Sequence, residues 1–135
     1  MPKMFVRSTE GTFPSHVRWG IASALTDLGI DCEKLSERKE VREGVWVLFS
    51  EYQTESVFRG GSLAPSPTVV LEVYALEGGL DDRARKHLIA EATEILRTHA
   101  SLGAGIPVYV VINETPESDW GMFGEQVELA DLREP

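Results

Sequence analysis

The sequence predicts an α/β fold made of two β-α-β units, and two observations carry that prediction. Strand-like and helix-like segments alternate along the chain, and the two halves of the chain resemble each other. A long helical connection between two strands allows them to pair in parallel, normally with a right-handed crossover. With 135 residues, of which 42% are hydrophobic, the chain suits a single domain spanning residues 1–135.

The first unit is predicted to be strand, helix, strand. Residues 2–9 alternate as a strand does, and a helix then begins near Pro14. The helix is expected to stop at Gly29, because glycine commonly follows the last helical turn. A charged connection over 31–44 leads to residues 45–52, VWVLFSEY, which are apolar and aromatic enough for a buried strand. The apolar positions of the helix are Val17, Ile21, Leu25 and Leu28.

The second unit repeats this order after a break. Residues 60–67, GGSLAPSP, suit a turn or linker, and residues 68–76 then indicate a strand. A helix is predicted over 80–102, with Asp81 at the end where carboxylates favour the helix dipole. Residues 108–113, VYVVIN, indicate the fourth strand. The apolar face of the second helix carries Ala84, Leu88, Ile95 and Leu102.

The two halves also correspond segment by segment. The matching pairs are Thr9–Gly11 with Leu76–Gly78, Val45–Val47 with Val108–Val110, and Glu55–Phe58 with Glu117–Trp120. The last pair needs a slip of one residue in the loop. We therefore predict repeat one over 2–61, repeat two over 67–126 and a short C-terminal tail over 127–135. A ferredoxin-like βαββαβ sheet is the alternative fold that the strand pattern leaves open.

The composition argues against several kinds of partner. The net charge is −9, and the basic residues are scattered rather than clustered, so nucleic acid is not an expected ligand. The single cysteine, Cys32, cannot form an internal disulfide, and no Cys/His spacing suits a metal site. Neither a signal-like segment nor an apolar run of about 18 residues is present. We expect a cytoplasmic protein without a membrane partner.

The dipeptide Met1-Pro2 leads to a functional hypothesis. A small second residue normally allows the initiator methionine to be removed, and Pro2 would then carry a secondary amine. An α-amino group has a reference pKa of about 8, and an apolar pocket disfavours its charged form. A neutral amine suits a general base that removes a proton alpha to a carbonyl. If Met1 stays attached, the Pro2 nitrogen is a tertiary amide and cannot act as a base.

Taken in order, these motifs resemble the tautomerase superfamily, whose members are β-α-β repeats with a catalytic amino-terminal proline. Single-repeat members such as 4-oxalocrotonate tautomerase carry an L-E-G turn, a V-x-V-x-x-x-E strand and an aromatic-Gly-aliphatic-Gly hairpin. The segments here are TEG and LEG, VWVLFSE and VYVVINE, then VFRGG and DWGMFGE. The length is similar to the two-repeat macrophage migration inhibitory factor and cis-3-chloroacrylic acid dehalogenase families. The resemblance implies a four-stranded mixed sheet with two helices on one face, and a homotrimer with pockets between chains.

The resemblance also implies which residues form the site. Pro2 corresponds to the catalytic base, and Tyr109 matches the tyrosine that lines the pocket in the inhibitory-factor family. Tyr109 or Asn113 could donate a hydrogen bond to a developing enolate oxygen. Trp120 and Met122 fall on the aromatic-Gly-aliphatic wall, although ordinary packing accounts for them equally well.

Further positions follow from the resemblance less directly. Leu76 belongs to the L-E-G turn and is expected to line the substrate site. Asp119 aligns with the carboxylate that activates water in dehalogenase-like members, but a hairpin end also favours a turn residue. The family's carboxylate-binding arginines are absent, and Arg59 or Lys3 could replace them, unless both are surface charges. The positions of those arginines hold Thr12, Gly79, Trp46 and Tyr109.

The resemblance favours a keto–enol tautomerase, or a related hydratase or dehalogenase, that acts on a small 2-oxo or enol acid. It implies no cofactor and no metal. Because the arginine clamp is missing, monocarboxylates should be better substrates than dicarboxylates. The alternative is a non-catalytic ligand-binding or assembly protein that keeps Met1.

Overall fold

A four-stranded mixed sheet and two long helices form the framework of the chain. The computed structural model describes residues 1–135. The first unit consists of β1 (Lys3–Thr9), α1 (Ser15–Glu33), the short α2 (Lys39–Glu43) and β2 (Trp46–Tyr52). The sequence did not predict α2, which lies within the charged connection.

A small hairpin leads from the first unit to the second. The hairpin strands are β3 (Phe58–Arg59) and β4 (Ser62–Leu63). The second unit consists of β5 (Val69–Leu76), α3 (Asp82–Ala100) and β6 (Val108–Thr115).

A second hairpin and a terminal helix complete the chain. The hairpin strands are β7 (Gly121–Met122) and β8 (Glu125–Gln126), and the helix is α4 (Leu129–Arg133). Leu129 and Leu132 of α4 are buried, so the C-terminal residues pack onto the domain. None of the helices is long and apolar enough to cross a membrane.

The strand order of the sheet is β2-β1-β5-β6. β1 is parallel to β2, β5 is parallel to β6, and the two central strands β1 and β5 are antiparallel. The predicted fold class is confirmed, and the parallel pairing inside each unit excludes the ferredoxin-like alternative. The register places Trp46, Lys3, Tyr74 and Asn113 in one row across the sheet.

The main core lies between the sheet and the helices α1 and α3. In β1 and β5, every second residue faces the helices and is buried, while the residues between are partly exposed. Each fully buried side chain of this kind contributes about 1.5–3 kcal/mol to stability. The core residues include Met4, Val6, Leu71 and Val73 from the strands and Ile21, Leu25, Leu88 and Leu96 from the helices.

The same ion pair occurs in both repeats and explains the glutamate of the strand motif. Arg18 donates to Glu51 at 2.7 Å in the first repeat, and Arg85 donates to Glu114 at 2.8 Å in the second. Glu51 also accepts a hydrogen bond from the Gly11 amide at 2.6 Å. These two contacts, the amide first, lower the pKa of Glu51. Each pair therefore ties the first turn of a helix to the end of a strand.

Helix α1 continues past Gly29, and the prediction that it stops there is wrong. The helix ends at Glu33, and Lys34 follows in the left-handed conformation with φ of 55°. Gly29 has a packing role instead. A Cβ atom at this position would lie 3.0 Å from the Pro2 ring and 3.0 Å from the Met4 side chain.

The two hairpins are equivalent without any slip. Gly60 and Gly61 have φ of 61° and 84°, and Phe123 and Gly124 have φ of 53° and 84°. Both turns thus have two residues with positive φ, as expected for a tight two-residue hairpin. The two turns are 63 positions apart, the offset that also relates β2 to β6. The one-residue slip predicted between the repeats is therefore not needed.

One face of the sheet carries no helix. Strand β2, which the sequence predicted to be buried, is an edge strand whose Trp46 is 56% exposed and whose Leu48 is 43% exposed. On the opposite edge strand, β6, Tyr109 and Val111 are exposed on the same open face. An exposed apolar face of this kind is typical of a protein–protein contact.

Candidate active site

The residue predicted to be catalytic, Pro2, lies at the start of a central strand. Pro2 is buried, and its ring packs against Gly29 of α1. The Pro2 carbonyl accepts a hydrogen bond from the Trp46 amide at 3.2 Å. Pro2 also lines a small enclosed cavity together with Cys32 and Glu33. The strand pairing and the helix thus fix the position of the proline.

Met1 is buried as well and fills a niche beside Pro2. Only 3% of its surface is exposed. A Cβ atom on Gly44 would lie 1.9 Å from the Met1 sulfur, so the absence of a side chain at Gly44 forms part of the niche. The other side chains of this cluster are Ile30, Leu35, Val41, Val45, Leu76, Val127, Leu129 and Leu132.

The terminal amine and Glu33 form a buried pair of titratable groups. Burial lowers the pKa of the Met1 amine, and the nearby Glu33 carboxyl acts in the opposite direction. Burial also raises the pKa of Glu33, which the terminal amine and Arg133 partly offset. Both shifts favour the neutral forms, an amine and a carboxylic acid. Burial also lowers the pKa of Lys3, and the Glu33 carboxyl acts in the opposite direction.

A larger cavity opens between the N-terminus and the second hairpin. It has a volume of about 610 Å³. Trp120 and Met122, two of the predicted site residues, line it together with Met1 and Lys3. The Lys3 ammonium donates to the carbonyl of Gly44 and lies 4.6 Å from the centre of the Trp46 ring. The remaining lining residues are Glu40, Glu43, Gly44, Trp46, Gly121 and Phe123.

A second groove adjoins this cavity on the open face of the sheet. Its volume is about 440 Å³, and Asp119 and Trp120 form its wall on the hairpin side. Lys3, Trp120 and Gly121 line both spaces. Arg7 also lines the groove, but its guanidinium already donates to Glu72 at 2.5 Å. Lys3 is thus the cation that both spaces share.

Three predicted site residues lie elsewhere in the chain. Leu76 is fully buried and packs in the cluster around Met1 rather than facing either cavity. Tyr109 is level with Arg7, four residues along the strand from the row of Lys3, which corresponds to about 13 Å. Arg59 lies in the first hairpin, where its Nη2 donates to Ser66. A single chain therefore does not bring Tyr109 or Arg59 to Pro2.

Asn113 lies closer to the predicted base. It occupies the same row of the open face as Lys3, with Tyr74 between them. Among the predicted residues, the structure therefore groups Pro2, Trp120 and Met122 around the N-terminus, with Asn113 nearby on the sheet.

Glu33 is a candidate that the sequence interpretation missed. The charged segment after Gly29 suggested a solvent-exposed connection, yet Glu33 is only 1% exposed. Its position follows from the helical period, since it lies four residues after Gly29 and eight after Leu25, both on the buried face of α1. Extending the helix through Gly29 is the step that would have identified it.

Comparison with known proteins gives one family and one fold. Residues 70–130 match the family model described as Tautomerase enzyme. A search of curated protein sequences returned no match. Many solved structures have the same fold.

Three of these structures cover nearly the whole chain. N1, a member of the cis-3-chloroacrylic acid dehalogenase family, is 22% identical over 93% of this chain and 83% of its own, with a TM-score of 0.79. A symmetric trimer of a fused 4-OT is 18% identical over 92% of this chain and 94% of its own, with a TM-score of 0.76. Pt0534, inactivated by 2-oxo-3-pentynoate, is 19% identical over 96% of this chain and 97% of its own, with a TM-score of 0.74.

The second repeat thus matches the tautomerase family model over residues 70–130. The whole chain has the fold of the two-repeat tautomerases, and the resemblance predicted from the sequence is confirmed.

Proposed function

We propose that this protein is a keto–enol tautomerase, or a hydratase or dehalogenase of the same kind, that uses the freed amine of Pro2 as a general base. One observation carries the proposal: the terminal amine at the start of β1 is buried, and burial lowers its pKa. After removal of Met1, the terminal amine would belong to Pro2, which is also buried at the start of β1. Burial would lower its pKa below that of an exposed amine, so a larger fraction of it would be neutral, and therefore able to act as a base, at physiological pH.

Removal of Met1 would also open a binding niche. The space that Met1 now fills is lined by aliphatic side chains and by Gly44, and it joins the cavity bounded by Trp120 and Met122. This niche suits an uncharged substituent about the size of a methionine side chain. Lys3 is the one cation lining that cavity, against Glu40 and Glu43. A small 2-oxo or enol monocarboxylate with an apolar tail is therefore the substrate class that fits.

A trimer would complete the site. Solved structures with this fold include a fused 4-OT that forms a symmetric trimer, and the open sheet face of this chain is apolar. In such an assembly, Tyr109 of a neighbouring chain would supply the hydrogen-bond donor that a single chain does not bring to Pro2. The pocket would then lie between subunits, with Asn113 and Asp119 as further polar groups.

The second candidate function is a non-catalytic binding or assembly protein that keeps Met1. It is favoured by the burial of Met1, whose side chain closes the niche beside Pro2. With Met1 in place the Pro2 nitrogen is an amide.

The experiment that separates the two functions measures mass and substrate preference together. The untagged protein is analysed by intact mass and assayed with a phenylpyruvate-type enol and a dicarboxylate dienol. We expect a mass lacking Met1 and a clear preference for the aromatic monocarboxylate. A mass that includes Met1, with no turnover of either compound, supports the second function. Efficient turnover of the dicarboxylate would contradict the proposed substrate class.

A further inference from the structure

The carboxyl group of Glu33 is buried beside the N-terminus without a hydrogen bond. The residue is 1% exposed, and neither carboxyl oxygen has a hydrogen-bond partner of good geometry, although the Leu76 amide lies close enough to favour the charged form. Burying an unpaired carboxyl group is costly, so such a group needs an explanation. Its backbone, by contrast, is well fixed, because Arg133 donates to the Glu33 carbonyl at 3.0 Å.

The carboxyl group lies beside the space that Met1 occupies. Pro2 and Glu33 both line a void in the core that is too small for a water molecule, and the Glu33 carboxyl interacts electrostatically with the terminal amine of Met1. When Met1 leaves, the space of its amine near Glu33 becomes free. Gly79 leaves room for the carboxyl group itself, since a Cβ atom there would lie only 3.2 Å from Glu33 Oε1. A molecule that contacts the Pro2 nitrogen can therefore also contact Glu33.

We propose that Glu33 is a catalytic residue, the general acid that works opposite the Pro2 amine; this rests on the tautomerase function proposed above. In the enolisation direction, the neutral amine takes a proton from the carbon alpha to the carbonyl. The protonated Glu33 carboxyl gives its proton to the carbonyl oxygen. The pair is left as ammonium and carboxylate, and transfer of one proton from nitrogen to carboxylate restores it. The reverse sequence converts the enol to the keto form.

The charged groups around Glu33 come from four elements. They are the terminal amine, Lys3 on β1, Glu114 on β6 and Arg133 on α4, and the titratable but neutral thiol of Cys32 lies on its own helix, α1. Glu114 disfavours the charged form of Glu33, whereas the terminal amine and Arg133 favour it. The variant Glu33→Gln changes none of these groups and keeps the size of the side chain. Glu37→Gln, in the exposed segment just after α1, is the matched control.

The first test is the pH profile of kcat/KM for an aromatic 2-oxo monocarboxylate with Met1-free protein. We expect Glu33→Gln to lower kcat/KM by about 10²–10⁴-fold. The fall of kcat/KM at high pH, which reports deprotonation of the Glu33 carboxyl group, should disappear in this variant. Glu37→Gln should match the wild type. If Glu33→Gln keeps the activity and the pH profile of the wild type, the assignment is wrong.

A second readout does not depend on turnover. The pH dependence of acylation of the terminal amine, followed by mass spectrometry, gives the pKa of that amine. Because the ionised carboxylate of Glu33, which forms when the amine holds the proton of the pair, raises this pKa, Glu33→Gln should lower it and Glu37→Gln should not. An unchanged pKa in Glu33→Gln would overturn the pairing. If the amine pKa is lower in Glu33→Gln than in the wild type, but the wild type turns over no enol, the pairing is supported and the tautomerase function is refuted.

Discussion

At the scale of single residues, three glycines shape the space around the N-terminus. Gly29 receives the Pro2 ring, Gly44 receives the Met1 side chain, and Gly79 leaves room for the Glu33 carboxyl. None of the three is required by a left-handed backbone, because none of them has a positive φ. Their shared role is to let side chains approach the backbone closely. A side chain at any of these positions would change the pocket rather than the fold.

Gly44→Ala gives a prediction that depends on Met1. All three atoms nearest to a Cβ at this position belong to Met1, so alanine would displace that side chain. The backbone of Gly44, with φ of −80° and ψ of −8°, accepts alanine without strain. We expect the substitution to lower the free energy of unfolding of the Met1-containing protein by about 1–3 kcal/mol. The Met1-free protein should be unchanged or slightly stabilised.

Chemical denaturation of both forms of the protein, prepared with and without methionine aminopeptidase treatment, measures this difference. Gly105→Ala is the matched control, because a Cβ at that position meets no other atom. Equal losses of stability in the two forms would show that Gly44 does not hold the Met1 side chain.

At the scale of elements, the sequence predicted every long strand and helix, because each has a clear hydrophobic period. The errors arose where a local signal competes with tertiary packing. Gly29 looked like a helix stop, but the Pro2 ring requires a glycine inside the helix at that point. Because the residues after Gly29 are largely charged, they were interpreted as a connection, although they form the last turn of α1 and the short helix α2. Local helix propensity cannot distinguish the end of a helix from its interior at such positions, because the deciding contacts are with residues distant in sequence.

The grouping of residues at the candidate site was predictable in part for the same reason. Pro2, Trp120 and Met122 belong to recognisable motifs, and the structure groups them around one cavity and its buried neighbour. Glu33 has no motif, and its importance follows only from burial without a hydrogen bond. Tyr109 belongs to a motif, yet the structure places it far from Pro2 within one chain, and its proposed role requires a neighbouring chain, which no pattern within one chain specifies.

At the scale of the whole molecule, the open sheet face predicts association. Leu48 and Val111 are on this face, and 43% and 44% of their surfaces are exposed. We propose that three chains cover these faces, so a charge at either position should shift the protein from trimer to monomer. Leu48→Glu is the variant to examine by sedimentation or light scattering at micromolar concentration.

Ile89→Glu provides a matched control for this prediction. Ile89 is also 43% exposed, but it lies on α3, whose outer side faces away from the open sheet face. We expect Ile89→Glu to leave the trimer intact. A wild-type protein that is monomeric, or a trimer that Ile89→Glu disrupts while Leu48→Glu does not, would contradict the arrangement.

The central claim, that a free Pro2 amine is the base, is tested most directly by comparing two forms of the same chain. One form lacks Met1, and the other carries one additional residue ahead of Pro2, so that its nitrogen is an amide. Turnover of an aromatic 2-oxo monocarboxylate is measured for both, with intact mass to verify each terminus. General-base catalysis is typically worth about 10²–10⁴-fold, so the blocked form should lose activity by that factor. Equal turnover by the two forms would show that Pro2 is not the base.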